Sequence, residues 1–342
     1  MRKLLIFLLL LCVVVQSVFA AGFTAPAVPE AGAKLMPQER ETFLDGILGL
    51  LKAVIPRIRP DLAEAMRIGA GILAAVLMVA VLQTASDSVK NMSELAGVVC
   101  ISAMLLKSTD SLIRLGVDTI WELTEYEKLL LPVLTSAIAA QGGVSTATAL
   151  YTATALFNSI LGKLFCNVLL PLLYLYLALA IAAGALGDAM LGKMKDVFKK
   201  AVFWTIKMLL TLFTGFLGLT HVISGTTDAA ALKATRAAIS AVVPVVGKIM
   251  SNASEAVLIG AQLAKNSVGI YGIYAILAVF LGPFVQIGVH YLVIRLTAFL
   301  CALFGPKRVT GLVDDVSSAM SILLAATGAM CLLLRKHRPQ VL

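Results

Sequence analysis

Long apolar runs with few charges, broken by short polar segments, occupy most of this chain from residue 67 onward. Runs at roughly 67–85, 95–115, 146–166, 167–187, 201–223 and 317–334 come close to the ~20 residues a helix needs to cross a bilayer, and 268–304 is long enough for two short passes. A helix satisfies its own backbone hydrogen bonds in hydrocarbon, so the pattern predicts an all-α fold, a polytopic transmembrane helix bundle. Two further apolar elements, 129–140 and 241–250, are too short to cross comfortably. Each carries a proline near its start, Pro132 and Pro244. Each is followed by small polar residues, Gln141-Gly142-Gly143 in one and Ser251-Asn252 in the other. Broken backbone at membrane depth survives only when buried in protein or lining water, which makes re-entrant hairpins one reading of both.

The N-terminal part has a different texture. Residues 1–20 read as a secretory signal, with Arg2 and Lys3 ahead of an apolar stretch from Leu4 to Val15 and a small-x-small-like end at Val18-Phe19-Ala20. An uncleaved first span is the competing reading, and the shortness of the run favours cleavage after Ala20. Residues 21–66 are then an extracytoplasmic leader opened by Pro26, Pro29 and Pro37. Within it Phe43, Leu44, Ile47, Leu48, Leu51, Val54 and Ile55 recur at helical spacing until Pro56 and Pro60. This is an amphipathic helix that lies on the membrane or a partner, or packs onto the protein's own bundle. The transmembrane domain covers 67–334, and a basic tail, 335–342, follows it.

Composition sharpens this picture. Of the 342 residues 60% are hydrophobic and 14% charged, where soluble domains carry about a quarter charged. The formal charge of +9 does not point to nucleic acid, because the basic residues sit in loops between apolar runs, as topology signals do. Cys12, Cys100, Cys166, Cys301 and Cys331 lie in or at the edges of apolar runs and form no C-x-x-C pair, so they read as small buried hydrophobes. No Walker A run, nucleophile elbow or H-E-x-x-H is present, and no catalytic, cofactor-binding or metal-ligating set is assigned.

Charges within the apolar runs are the remaining candidates, since each is costly in hydrocarbon. Lys107, Asp110, Arg114 and Asp118 share one helical face, either a water-lined or subunit-facing stripe or a solvated, ion-paired surface. His290 and Arg295 lie within 281–304, and Arg295, flanked by apolar neighbours, is the stronger candidate for a buried or pore-facing charge. Small residues such as Ala180 with Gly184 permit close helix packing, in a tight bundle or a homo-oligomer. A 112-residue offset pairs Pro132 with Pro244 and Pro171 with Pro283. An internal duplication would leave such pairs, and so would chance between apolar sequences. The lysine-rich stretch 193–200 and the Arg335-Lys336-His337-Arg338 tail both suit the cytoplasmic side, whereas the net acidic 107–128 suits the outside.

Several stretches resemble the stage III sporulation protein AE family of endospore-forming bacteria. They are LPVLTSAIAAQGGVSTA (131–147), VLLPLLYLYLALA (168–180), SGTTDAAALKATRAAISAVVPVVGKIMSNASE (224–255), KNSVGIYGI (265–273) and GPKRVTGLVDDVS (305–317). The central one is the most specific, since a polar D-x-x-x-L-K-x-x-R stretch leading into VPVVG is not a generic transmembrane pattern. The resemblance implies a multi-pass protein of the mother-cell membrane around the forespore. Its implied partners are the other stage III A sporulation proteins and the forespore's stage II sporulation protein Q, in a channel or secretion-like complex. A stand-alone secondary transporter and a scaffold without a conduit are the competing readings. Asp228, Lys233, Arg236 and Pro244, in the most specific stretch, join Pro132, Gly142, Gly143, His290 and Arg295 as candidate functional residues. Asp228 to Arg236 is too polar for a lipid-exposed span, and Ala237 to Val246 too apolar for a solvated loop, so the element sits at the interface or is sheltered by other helices.

Overall fold

The computed structural model describes residues 26–33, 35–36, 43–85, 90–140, 144–223 and 246–335. Every element among them is helical, and the helices are long. They are α1 (Glu30–Ala33), α2 (Phe43–Ala85), α3 (Lys90–Ala140), α4 (Val144–Leu164), a π-turn (Phe165–Leu169), α5 (Leu170–Leu186), α6 (Ala189–Ile223), α7 (Val246–Phe304) and α8 (Lys307–Arg335). Five stretches are long and apolar enough to cross a membrane: Asp45–Thr84, Lys90–Ser136, Ala147–Leu186, Ile270–Phe304 and Lys307–Ala329. The protein is an all-α, multi-pass membrane protein. At 51 residues α3 is about 75 Å long, well over twice the ~30 Å of hydrocarbon, so it extends beyond the bilayer core.

Several boundaries differ from the sequence reading, most of them for one reason. Prolines that a water-exposed helix would not tolerate are carried inside continuous helices, where dry surroundings leave the backbone no better partner than itself. Pro56 and Pro60 lie within α2 and do not end it. Pro132 lies within α3, so 129–140 is the last part of a long helix and not a separate hairpin. Pro283 lies within α7, which makes 268–304 one pass. The runs 146–166 and 167–187 join through the π-turn into one helix. The signal segment, Gly142, Gly143, the stretch 224–245 and the tail beyond Arg335 lie outside the described residues.

The chain divides into two compact units. In the smaller (1–27, 129–151 and 226–272), the Thr135 hydroxyl donates to the Leu131 carbonyl at 2.8 Å, and a Cβ on Gly272 would stand 2.7 Å from Leu130 Cδ2.

The larger unit (28–128, 152–225 and 273–342) holds one apolar core fed by the seven helices α2 to α8. Ile72 and Val76 of α2, Ile101 and Ile113 of α3, and Leu161 of α4 contribute to it. Tyr176 of α5, Val202 of α6, Ile287 of α7 and Val313 of α8 complete the set, each at most 1% exposed. Contacts fix the helix directions. Val98 meets Gly184, Asp110 meets Tyr174 and Glu127 meets Asn158, so α3 runs antiparallel to the α4–α5 helix. Val76 meets Gly305, Gly69 meets Thr297 and Gly46 meets Tyr274, so α2 and α7 run parallel. Gly97 beside Val309 and Gly116 beside Leu323 set α3 parallel to α8. The result is three helical hairpins, α2/α3, α5/α6 and α7/α8, whose turns gather at one end, here called the turn end. The outer surface carries many large exposed apolar side chains, among them Met92 70%, Val81 67%, Trp204 66% and Leu292 64% exposed. A soluble protein would not leave so much apolar surface in water, whereas a bilayer covers it.

Candidate functional site: a charged layer across the bundle

In α8 the neighbours Asp314 and Asp315 point opposite ways, as residues about 100° apart on a helix must. Asp315 faces the core and is 5% exposed. One carboxylate oxygen accepts from Lys195 Nζ of α6 at 2.6 Å, and the other from the Tyr176 hydroxyl of α5 at 2.9 Å. Lys199, one turn along α6, brings its ammonium to 3.7 Å of the same carboxylate and donates to Ser318 Oγ at 3.1 Å. It also sits 5.9 Å from the centre of the Tyr176 ring, on its face. Asp314 faces outward and pairs with Arg295 of α7. On α5, Tyr174 points outward and donates to Asp110 of α3 at 2.9 Å, and Asp110 also accepts from Arg114 at 2.8 Å.

These pairs lie at one level and tie α3, α5, α6, α7 and α8 together. Arg67 of α2 joins that level, two residues before Gly69 at the Thr297 contact. Lys195 and Lys199, 20% and 28% exposed, bring two cations to one buried carboxylate, so the centre carries a surplus positive charge. Its acid is desolvated, and its members are held by three different helices, α5, α6 and α8. Removing one member of such a set strands the others, which costs about 3–5 kcal/mol.

A second polar set lies nearer the turns. Glu94 at the start of α3 accepts from Gln83 of α2 at 3.0 Å and pairs with Arg308 of α8 at 3.4 Å. The Arg308 guanidinium packs on Gly187, the left-handed residue (φ 65°) that ends α5, and a Cβ there would be 2.2 Å from its carbon. The left-handed backbone favours glycine at that turn, whereas the Arg308 guanidinium, at the end of a flexible side chain, can shift away from a Cβ. Deeper toward the other end, the buried Asn158 amide of α4 donates to Glu127 of α3.

The sequence-derived candidates fall as follows. Arg295 is half exposed on the outer face, beside Asp314, at the edge of a groove of about 670 Å³ between α7 and α8. Leu292, Leu296, Phe299, Lys307 and Thr310 also line that groove. His290 is buried, and its Nδ1 donates to the Gln286 carbonyl of its own helix at 3.0 Å, so the structure does not join it to Arg295. Pro132 lies on an exposed part of α3. Lys107, Asp110, Arg114 and Asp118 do share one outer face of α3, with Arg114 and Asp110 paired. Asp228, Lys233, Arg236, Pro244, Gly142 and Gly143 lie outside the described residues. The Asp315 centre was not singled out from sequence. Its only trace was the D-D pair in GLVDDVS, where one of two adjacent acids on a mostly apolar helix must face inward. Among the described residues, no group of three or more His, Cys, Asp or Glu side chains could hold a metal ion.

The stage III sporulation protein AE (spore_III_AE) family model matches residues 41–335, which include the whole charged layer. The chain belongs to the stage III sporulation protein AE family. It is similar to stage III sporulation protein AE of Bacillus subtilis (strain 168), with 21% identity over 230 residues. That alignment covers 67% of this chain and 58% of the relative, so it spans less than two thirds of the relative's length. No solved structure matches the chain. In this family member, every helix that supplies the Asp315 centre lies inside the matched region.

Proposed function

We propose that this protein is a non-enzymatic, bilayer-embedded component of the channel or secretion-like complex joining mother cell and forespore, needed for endospore development after engulfment. It resides in the mother-cell membrane around the forespore. Its partners are the other stage III A sporulation proteins, the forespore's stage II sporulation protein Q and, through its apolar outer faces, further copies of itself. The observation that carries this reading is the family match across residues 41–335, which take in the five stretches long and apolar enough to cross a membrane. The non-enzymatic character is supported by the match to a stage III sporulation protein family. Deleting the gene should leave vegetative growth unchanged and arrest sporulation after engulfment. Normal yields of heat-resistant spores, or slow vegetative growth, would overturn the assignment. Purification of the tagged protein from sporulating cells should bring down other membrane proteins of the complex. A stand-alone transporter would purify without them.

A further inference from the structure

Buried residues on the helix 144–186 recur every four positions: Phe157, Leu161, Phe165, Leu169 and Leu173. An α-helix turns once in 3.6 residues, so such a stripe slides round the surface by about 40° at each step. Over four steps Leu173 would end about 160° from the face of Phe157. The π-turn Phe165–Leu169, closed by the Leu170 N–H donating to the Phe165 carbonyl, absorbs one extra residue and removes about 100° of that slide. It therefore sets the phase between two clamped flanks. On one side Asn158 holds Glu127, and Phe157 stacks on Phe216 at 4.0 Å. On the other, Tyr174 holds Asp110 and Tyr176 holds Asp315.

Between the clamps the helix is at its least stiff. Pro171 has no N–H, and its ring crowds the carbonyl of Asn167 inside the wide turn. Gly162, with nothing within 4 Å of where its Cβ would be, stands just before that turn, and glycine weakens a helix by about 1 kcal/mol relative to alanine. An extra residue in a π-turn can be passed along a helix, and each passage rotates what it crosses by about 100°. Passage beyond Tyr176 would take both tyrosines off their carboxylates.

We propose that residues 162–171 are a working hinge: the α5 part of the helix turns against the α4 part there, making and releasing Tyr176 on Asp315. The proposal rests on the sporulation role only for its spore assay. Deleting Val168, which lies on the outer face, together with Pro171→Ala yields a regular α-helix with both flanks in their present phase. The expected result is a protein that reaches the membrane at the parental level, with spore yield lost. Deleting Ala178 instead has no such compensation and should lose the protein itself. Parental level with parental spore yield would overturn the hinge and leave the wide turn a fixed spacer. Loss of the Val168-deleted, Pro171→Ala protein from the membrane would also overturn it, because the phase argument requires that variant to fold. A strain lacking the gene, assayed alongside, separates the two ideas, since normal sporulation there defeats the sporulation role and not the hinge.

Discussion

Asp314 and Asp315 are neighbours in sequence and opposites in environment, and the contrast allows a controlled comparison. Asp315→Asn would leave Lys195 and Lys199 facing each other in a largely buried site without their counter-ion. A loss of about 3–5 kcal/mol is expected, read as a lower unfolding temperature in detergent and reduced accumulation in the membrane. Asp314→Asn breaks the pair with Arg295, whose partners are each about half exposed, and should cost no more than about 1 kcal/mol. If the two variants unfolded alike, the inward placement of Asp315 would be wrong. Gly187 offers a second residue-scale test. A non-glycine residue in the left-handed region costs about 1–2 kcal/mol, and Gly187→Ala must also displace Arg308. The guanidinium can swing aside, so the backbone cost dominates, and adding Arg308→Ala, which takes the partner from Glu94, is expected not to restore stability.

At the scale of elements, what the sequence made legible depended on which force decides each feature. Apolar runs without charge are a direct statement about solvent, so the all-α membrane bundle could be read from them. Proline is ambiguous by comparison. In a soluble protein Pro56, Pro60, Pro132 and Pro283 would mark ends or breaks, yet each sits inside a helix here because neighbouring helices and lipid leave the chain no wetter alternative. The π-turn was hidden for another reason. A stripe stepping by four is visible only when its flanking positions are polar, and around Phe165 to Leu173 nearly every position is apolar. The Asp315 centre draws its members from α5, α6 and α8, with 139 residues separating Tyr176 from Asp315, and no local pattern joins them. The prolines of α2 supply the check at this scale. Both are exposed within the helix, so Pro56→Ala and Pro60→Ala should each restore a backbone hydrogen bond and raise the unfolding temperature. A drop for either would mean that the helix does end there.

For the whole molecule, the three hairpins constrain how charge is distributed across the membrane. Lys307 and Arg308 open α8 at the turn end, beside the α5/α6 turn and the lysines of α6, whereas Arg335 closes it 29 residues along. A helix of that length rises about 43 Å, more than the hydrocarbon thickness. By charge, both the lysine-rich stretch 193–200 and the basic residues from Arg335 onward suit the cytoplasmic side. If α8 crosses the bilayer, the two lie on opposite sides, since basic residues stand at both ends of α8. Single cysteines at Lys307 and at Arg335, in a background with the native cysteines replaced, would decide the matter. A membrane-impermeant thiol reagent applied to intact protoplasts should label one of the two and not the other, and the pattern should invert in inside-out vesicles. Labelling of both from the same side would mean that α8 does not cross.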